Sequence, residues 1–149
     1  MGQVISATAR RAQRAGGSRA KRQRFLTQAA LLLADARAQA SAGRMDDAME
    51  KAYQAGLRAA GACVAASSVA KRRRLPTSAW DQLALVGEGE KEWAEKFRAY
   101  SRTRSRLMTG LDRSVKDSVV FDLMELVARF LESLEIGTYD FDGAGDQAA

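Results

Sequence analysis

The chain has 149 residues, with 24 basic and 18 acidic side chains, one cysteine, one proline and no histidine. This length suits a single domain. Without histidine the chain cannot form a Ser-His-Asp triad, a Cys-His dyad, a histidine-ligated zinc site or a histidine pH switch, and a single cysteine excludes an intramolecular disulfide and a cysteine zinc site.

The composition is typical of an all-α protein. The chain has no asparagine and only one proline, Pro76, whereas folds with many turns need such residues. Alanine, the strongest helix former and a poor strand residue, dominates the central segments. We therefore predict an up-down bundle of four to five helices. No apolar run is long enough to span a membrane, and the unpaired Cys63 fits a reducing compartment, so we expect a cytoplasmic protein without a membrane partner.

Residues 1–22 are interpreted as a flexible basic arm. The first 34 residues contain seven Lys and Arg and no acid, whereas the rest of the chain holds 17 basic and 18 acidic side chains. Gly16, Gly17 and Ser18 interrupt a segment with few large apolar groups, which cannot bury enough surface to offset its ordering entropy. Two interpretations stay open: an arm that contacts phosphates, or a solvated tail without a partner.

Residues 23–136 are predicted to form the bundle, beginning with a helical hairpin. Apolar residues at three-and-four spacing predict a first helix from about Arg24 to Ala42, which Gly43 ends. The second helix is predicted from about Met45 to Val69. Its small side chains predict a tight seam with a neighbouring helix.

Three further helices follow a loop that contains Pro76. They are predicted over about Ser78 to Val86, Glu90 to Met108, and Ser114 to Ile136, with the widest apolar face on the last one. Trp93, Phe97, Tyr100 and Leu107 make an aromatic and apolar stripe at helical spacing. We interpret this stripe as core, the alternative being a platform on which bases stack. Residues 137–149 are predicted to be an acidic tail.

One cluster of basic residues is a candidate phosphate-binding site. Consecutive cations repel one another, and an anionic ligand would account for them. The alternative is a solubilising loop. The candidate residues lie in the loop after the second helix and in the C-terminal half of the fourth, and they are Lys71, Arg72, Arg73, Arg74, Arg102, Arg104 and Arg106. The acidic residues fall on polar faces, so no catalytic residue, metal site or cofactor is predicted.

The order of these features resembles a known family over residues 25–136. The segments that carry the resemblance are Leu31-Leu32-Leu33-Ala34-Asp35-Ala36-Arg37, the small residues of 55–66, the basic loop leading into Ser78-Ala79-Trp80, Glu92-Trp93-Ala94 with Phe97, and Phe130-Leu131. This order is similar to that of the actinobacterial branch of the HEPN-domain superfamily. The resemblance implies a small helical bundle, frequently dimeric, that is linked to RNA cleavage, nucleotide binding or toxin–antitoxin pairs. Ribonucleases of the superfamily use an arginine followed four to six residues later by histidine, which this chain lacks.

Three functional hypotheses follow from these observations. The first is a non-catalytic module that binds RNA, DNA or a nucleotide through the basic loop and the arm. The second is a protein-interaction role, as a homodimer built through the small-residue seam or as a toxin–antitoxin-type partner protein, without nucleic-acid binding. The third, and least favoured, is an enzyme that uses residues other than histidine.

Overall fold

The computed structural model describes the backbone of residues 7–146 and the side chains of residues 16–135. This part of the chain folds into five α-helices and one short 3-10 helix and contains no strand, so the predicted all-α bundle is confirmed. The helices are α1 (Ala7–Ser41), α2 (Met45–Ala66), α3 (Ala79–Ala84), α4 (Glu88–Met108) and α5 (Asp117–Asp146), and the 3-10 helix (Ser68–Lys71) follows α2.

Helix α1 begins at Ala7, well before the start predicted at Arg24. Most of the predicted arm is therefore a helical extension of α1, while residues 1–6 lie outside the described residues. The physical reason is propensity. Alanine, arginine and glutamine, which dominate this segment, favour the helix, and each of its two glycines costs only about 1 kcal/mol. The Arg22 guanidinium also donates a hydrogen bond to the Leu134 carbonyl of α5 over 3.1 Å, which ties the two helices together.

Helices α1 and α2 form the predicted antiparallel hairpin. Gly43 lies in the turn with φ +80°, a conformation that glycine adopts without strain. Phe25 of α1 lies opposite Gly61 of α2, with its nearest ring carbons 3.5 Å from where a Cβ on Gly61 would stand. At 35 residues against 22, α1 is longer than α2, so its N-terminal part runs past the C-terminal end of α2.

The small residues of α2 face the interior of the bundle and are covered within one chain. Fully buried alanines of α2 belong to a single core cluster with residues of α1, α3, α4 and α5; they are Ala48, Ala52, Ala55, Ala59 and Ala60. The seam therefore cannot serve as the dimer surface predicted from the sequence, because it is already occupied by helices of the same chain.

Helix α4 packs across α2 in the antiparallel direction. Phe97 lies against Gly56, and Arg104, two turns later, reaches Glu50 near the start of α2. Phe130 of α5 completes this part of the core, with its ring centroid 5.5 Å from that of Phe97. The N-terminus of α4 and the C-terminus of α2 therefore lie at the same end of the bundle.

Helix α3 is short and is held by its single tryptophan. Its N-cap, Ser78, accepts a hydrogen bond from the amide of Asp81, as the sequence predicts. The Trp80 ring stacks on Phe97 with centroids 4.6 Å apart, and its indole N–H donates to the Tyr53 hydroxyl over 2.9 Å. This hydrogen bond satisfies both polar groups of a buried aromatic pair. The helix ends at Ala84, slightly before the predicted Val86.

Helix α5 extends from Asp117 to Asp146, so it starts after the predicted Ser114 and continues past the predicted end near Ile136. Val120, Leu123, Val127 and Phe130 are fully buried, which confirms its wide apolar face. The backbone of residues 137–146, predicted to be a tail, continues this helix, and residues 147–149 lie outside the described part of the chain.

Candidate functional site

Four of the seven predicted phosphate-binding residues form an exposed run directly after α2. Lys71 ends the 3-10 helix, and Arg72, Arg73 and Arg74 follow it in irregular backbone. All four side chains are exposed, and none of them takes part in an ion pair among the residues whose side chains the structure describes. They are free to meet an anion from solvent.

Arg104 has a different role, because it holds α4 against α2. Its Nε and Nη2 atoms donate to the two carboxylate oxygens of Glu50 over 2.7 and 2.8 Å. Its guanidinium also lies 4.8 Å from the centre of the Tyr53 ring. The hydrogen bonds from Arg104 lower the pKa of Glu50, and the same bonds raise the pKa of Arg104. This bidentate pair accounts for Arg104 within the fold.

The Glu50–Arg104 pair predicts a pH-dependent stability. The folded pKa of Glu50 lies below its ordinary value of 4.5, so the stabilisation is complete above that value and disappears as the pH falls through the folded pKa. We expect Glu50→Gln to lower the free energy of unfolding by about 1 kcal/mol at neutral pH, since the pair is only half-buried. The difference in the free energy of unfolding between this variant and the unmodified chain should shrink as the pH falls below the ordinary pKa of Glu50. Urea unfolding over an acidic pH series measures this, with Glu95→Gln, an exposed glutamate of α4, as the control. A difference that does not change with pH would contradict the assignment.

Arg102 and Arg106 lie on the opposite side of α4 from Arg104, since two residues correspond to about 200° around a helix. Arg106 donates to both carboxylate oxygens of Asp112, over 3.0 and 3.3 Å, and so anchors the loop that follows α4. Arg102 is exposed and stands one turn after Arg98, which pairs with Asp81 of α3 over 2.6 Å. The three predicted arginines therefore do not share one surface.

The residues of the predicted cluster lie in two separate groups, near opposite ends of α2. Arg104 contacts Glu50 in the first turns of that helix, whereas Lys71 follows its end. A helix of 22 residues is about 33 Å long, so the two groups lie near opposite ends of the bundle. The sequence could not show this, because it depends on the antiparallel packing of α4 on α2.

The basic loop and the N-terminal part of α1 instead lie at the same end of the hairpin. Because the hairpin turns at Gly43, residues near Arg22 stand beside Cys63, and the charge of Arg22 acts on that thiol. Exposed cations of α1 and of the loop therefore share one end of the molecule, which we call the basic end. Its members are Arg19, Lys21, Arg24, Lys71, Arg72, Arg73 and Arg74.

Arg19 and Lys21 belong to the basic arm that the sequence analysis considered for phosphate contact, whereas Arg24 was not predicted as part of the site. In an antiparallel hairpin, residues at equal distances from the turn stand side by side. Applied to the turn at Gly43, this rule would have predicted these three α1 residues beside the end of α2. The start of α4 also brings Glu88 and Glu90 to this end, in a first turn where the helix dipole favours acids.

The aromatic stripe of α4 divides between the core and the surface. Phe97 is fully buried, which confirms the core interpretation for that residue. Trp93, Tyr100 and Leu107 are partly buried against the core. Trp93 and Tyr100 line a groove of about 510 Å³ between α4 and α5, so part of each ring remains open to solvent.

Cys63 is buried in α2, as predicted. Burial raises the pKa of its thiol to about 12, against an ordinary value of 9.0. The thiolate is the reactive form, so at mildly alkaline pH its fraction is about a thousandfold lower than for a free thiol. We expect Cys63 to react with Ellman's reagent only on unfolding, as followed by absorbance in buffer and in denaturant. Rapid reaction of the folded chain would contradict its burial.

The described residues contain no group of three or more His, Cys, Asp or Glu side chains that could hold a metal ion. None of the helices in the described part is long and apolar enough to cross a membrane.

Comparison with known families agrees with the helical bundle. The family model of the SAV_6107-like HEPN domains matches residues 38–135, about two thirds of the chain. The chain belongs to the SAV_6107-like HEPN family. No curated protein and no solved structure is significantly similar to it.

The family match covers only some of the residues at the basic end of this HEPN domain. The match begins at residue 38 and so includes the loop cations of residues 71–74. Arg19, Lys21 and Arg24 of α1 lie outside the matched residues.

Proposed function

We propose that this HEPN domain is a non-catalytic module that binds nucleic acid through phosphate contacts at its basic end. The observation that carries the proposal is the placement of two basic segments, distant in sequence, at one end of the bundle. Their exposed cations can neutralise neighbouring phosphates and release the counterions condensed on a nucleic acid. Phosphate contacts of this kind position a partner without reading its sequence.

The chemistry of the basic end favours an extended polyanion over a single nucleotide. Seven exposed cations are spread over α1 and the loop, more than one nucleotide can contact. The ring beside these cations, Phe25, is half-buried and lies 5.8 Å from the cationic groups of both Lys21 and Arg58. Recognition would therefore rest on the backbone rather than on stacked bases.

Fluorescence anisotropy with labelled RNA and labelled duplex DNA tests the proposal, at about 50 and 150 mM salt. For a variant with Arg72, Arg73 and Arg74 replaced by serine, we expect affinity to fall at least about tenfold at the lower salt. The slope of log affinity against log salt should decrease by about 2 to 3, since each lost phosphate contact removes nearly one released ion.

A matched variant controls for the change in net charge. Replacing Arg37, Arg113 and Lys116 by serine removes the same charge from exposed positions away from the basic end. We expect its affinity to stay within about threefold of the unmodified chain, because only long-range attraction is lost. Equal losses in both variants, or no binding of either nucleic acid by the unmodified chain, would overturn the proposal. Binding of ATP without binding of RNA or duplex DNA would also overturn the proposal.

A further inference from the structure

The solvent-facing side of α1 carries polar side chains that the fold does not use. The inner side of this helix is buried at Ala29, Leu33 and Ala36. Residues three or four positions apart share one side of a helix, and the side away from the bundle is exposed. Its polar members, which we call the outer face of α1, are Gln23, Arg24, Thr27 and Gln28. Together with Ala20 they line one open depression of the surface.

The glutamines of this face differ from the others in the described part of the chain. The structure describes the side chains of five glutamines. Three of them donate hydrogen bonds within the fold: Gln39 to Asp35, Gln54 to Glu50, and Gln82 to the Pro76 carbonyl. Gln23 and Gln28 make no such bond to any described residue. Both amides of the outer face therefore keep their full hydrogen-bonding capacity for a partner.

The side-chain types of the outer face are those that read base edges in duplex DNA. In the major groove, arginine donates two hydrogen bonds to guanine, glutamine pairs with adenine in a bidentate manner, and the methyl group of threonine contacts that of thymine. Gln23 and Gln28 are five residues apart, which corresponds to about 7.5 Å along the helix. That length covers about two to three base pairs at about 3.4 Å each.

The approach of a duplex to this face is open in both charge and shape. The chain has no acidic residue before Asp35, so α1 itself places no negative charge on its outer face. A Cβ on Gly16 or Gly17 would meet no atom within 4 Å. The preceding part of α1 is thus uncovered and has little side-chain bulk, which allows its backbone to approach a partner closely.

The surroundings of the outer face differ in charge between its two sides. Glu135 of α5 lies on the same side of α1 as Arg22, in the depression between the two helices. Lys21 lies on the α2 side, since it stands over the Phe25 ring that faces Gly61. Phosphates are therefore favoured on the α2 side of α1, towards the basic loop.

We propose that α1 is a recognition helix whose outer face lies in the major groove of duplex DNA and reads a short sequence. The inference rests on the proposed function, because the cations of the basic end hold the flanking phosphates. A helix is about 10–12 Å across, and the major groove of B-form DNA, about 12 Å wide, admits it. The major groove of duplex RNA is too narrow. The partner is therefore duplex DNA rather than duplex RNA.

Selection from a pool of duplex DNA tests the inference, with a randomised segment of one helical turn, about ten base pairs. We expect the full chain to enrich a motif of about two to four base pairs. At about 150 mM salt, fluorescence anisotropy should show the enriched duplex bound at least about tenfold more tightly than a scrambled duplex of the same composition. An RNA duplex of the enriched sequence should bind no better than the scrambled DNA.

A double variant separates base reading from phosphate contact. Gln23→Ala combined with Gln28→Ala leaves the net charge unchanged and places alanine, which favours the helix, at two exposed positions. We expect the preference for the enriched duplex over the scrambled one to fall at least about tenfold. Binding of the scrambled duplex should stay within about twofold, because the phosphate contacts remain. Gln39→Ala, the same substitution near the other end of α1, is the control and should keep the preference.

The outcomes distinguish this inference from the proposed function on which it rests. If the unmodified chain binds DNA but enriches no sequence, or if the double variant keeps its preference, the inference fails while phosphate binding stands. Tighter binding of the RNA duplex than of the enriched DNA would overturn it as well. Absence of binding to any nucleic acid at about 50 mM salt would overturn both.

Discussion

Replacing Phe97 by alanine is expected to lower the free energy of unfolding by about 3–5 kcal/mol, the range for a fully buried phenylalanine. The side chain has 0% exposure and packs from α4 against α2, α3 and α5. Its ring stacks on Trp80 with centroids 4.6 Å apart and contacts Phe130 at 5.5 Å. Truncation removes its buried apolar surface and leaves a cavity that α3 and α4 can close only by moving.

Urea denaturation followed by circular dichroism measures this loss, and the chain supplies its own control. Phe121 is a phenylalanine of α5 with 51% exposure, so Phe121→Ala should cost less than about 1 kcal/mol. If the variant unfolds too far for a reliable baseline, Phe97→Leu, with an expected loss of about 1–2 kcal/mol, gives the same comparison. Equal effects at the two phenylalanines would show that α4 does not pack as described.

The second large effect on stability is expected at Gly56 of α2. A glycine is required at this helical position because the Phe97 ring of α4 approaches its backbone closely. A Cβ on Gly56 would stand 2.9 Å from Cε1 of Phe97, closer than two carbons can approach. Alanine would add about 1 kcal/mol of helix propensity. The rigid, buried ring cannot turn aside, so overpacking dominates. We expect Gly56→Ala to lower the free energy of unfolding by about 1–3 kcal/mol.

Gly61 lies in the same helix, and there we expect the opposite effect of alanine on stability. Its Cβ would meet Phe25 at 3.5 Å, which is ordinary van der Waals contact. Gly61→Ala is therefore expected to raise the free energy of unfolding, by up to about 1 kcal/mol. Thermal and urea unfolding of both variants gives the comparison. Stabilisation by alanine at both positions would mean that α4 lies further from α2.

Local sequence signals predicted most of the helices and some of their ends. Gly43 ends the first helix region because glycine tolerates positive φ, and the structure gives it φ +80°. Ser78 caps α3 as expected, since its side chain can replace a missing backbone partner. The start of α1 was predicted less well. Gly16 and Gly17 indicated an irregular segment, whereas the surrounding alanine and arginine residues and the Arg22 contact to α5 favour the helix.

The candidate site was predictable only in part. The loop of residues 71–74 was found because four consecutive basic residues are visible without any structure. The α4 arginines were grouped with it by their charge alone. Arg104 and Arg106 meet Glu50 and Asp112 instead, and those ion pairs depend on which helix faces which.

The sequence by itself determined the all-α class, the hairpin of α1 and α2, and the burial of Cys63. These features depend on residue propensity and on the period of apolar residues, which are properties of neighbouring positions in the chain. Tertiary structure alone decided that Gly56 faces a ring of α4 and that Lys96 and Asp122 line one groove. It also placed Arg24 and Lys71 at one end of the bundle. Those facts depend on helix direction and register, which are set by contacts between residues far apart in sequence.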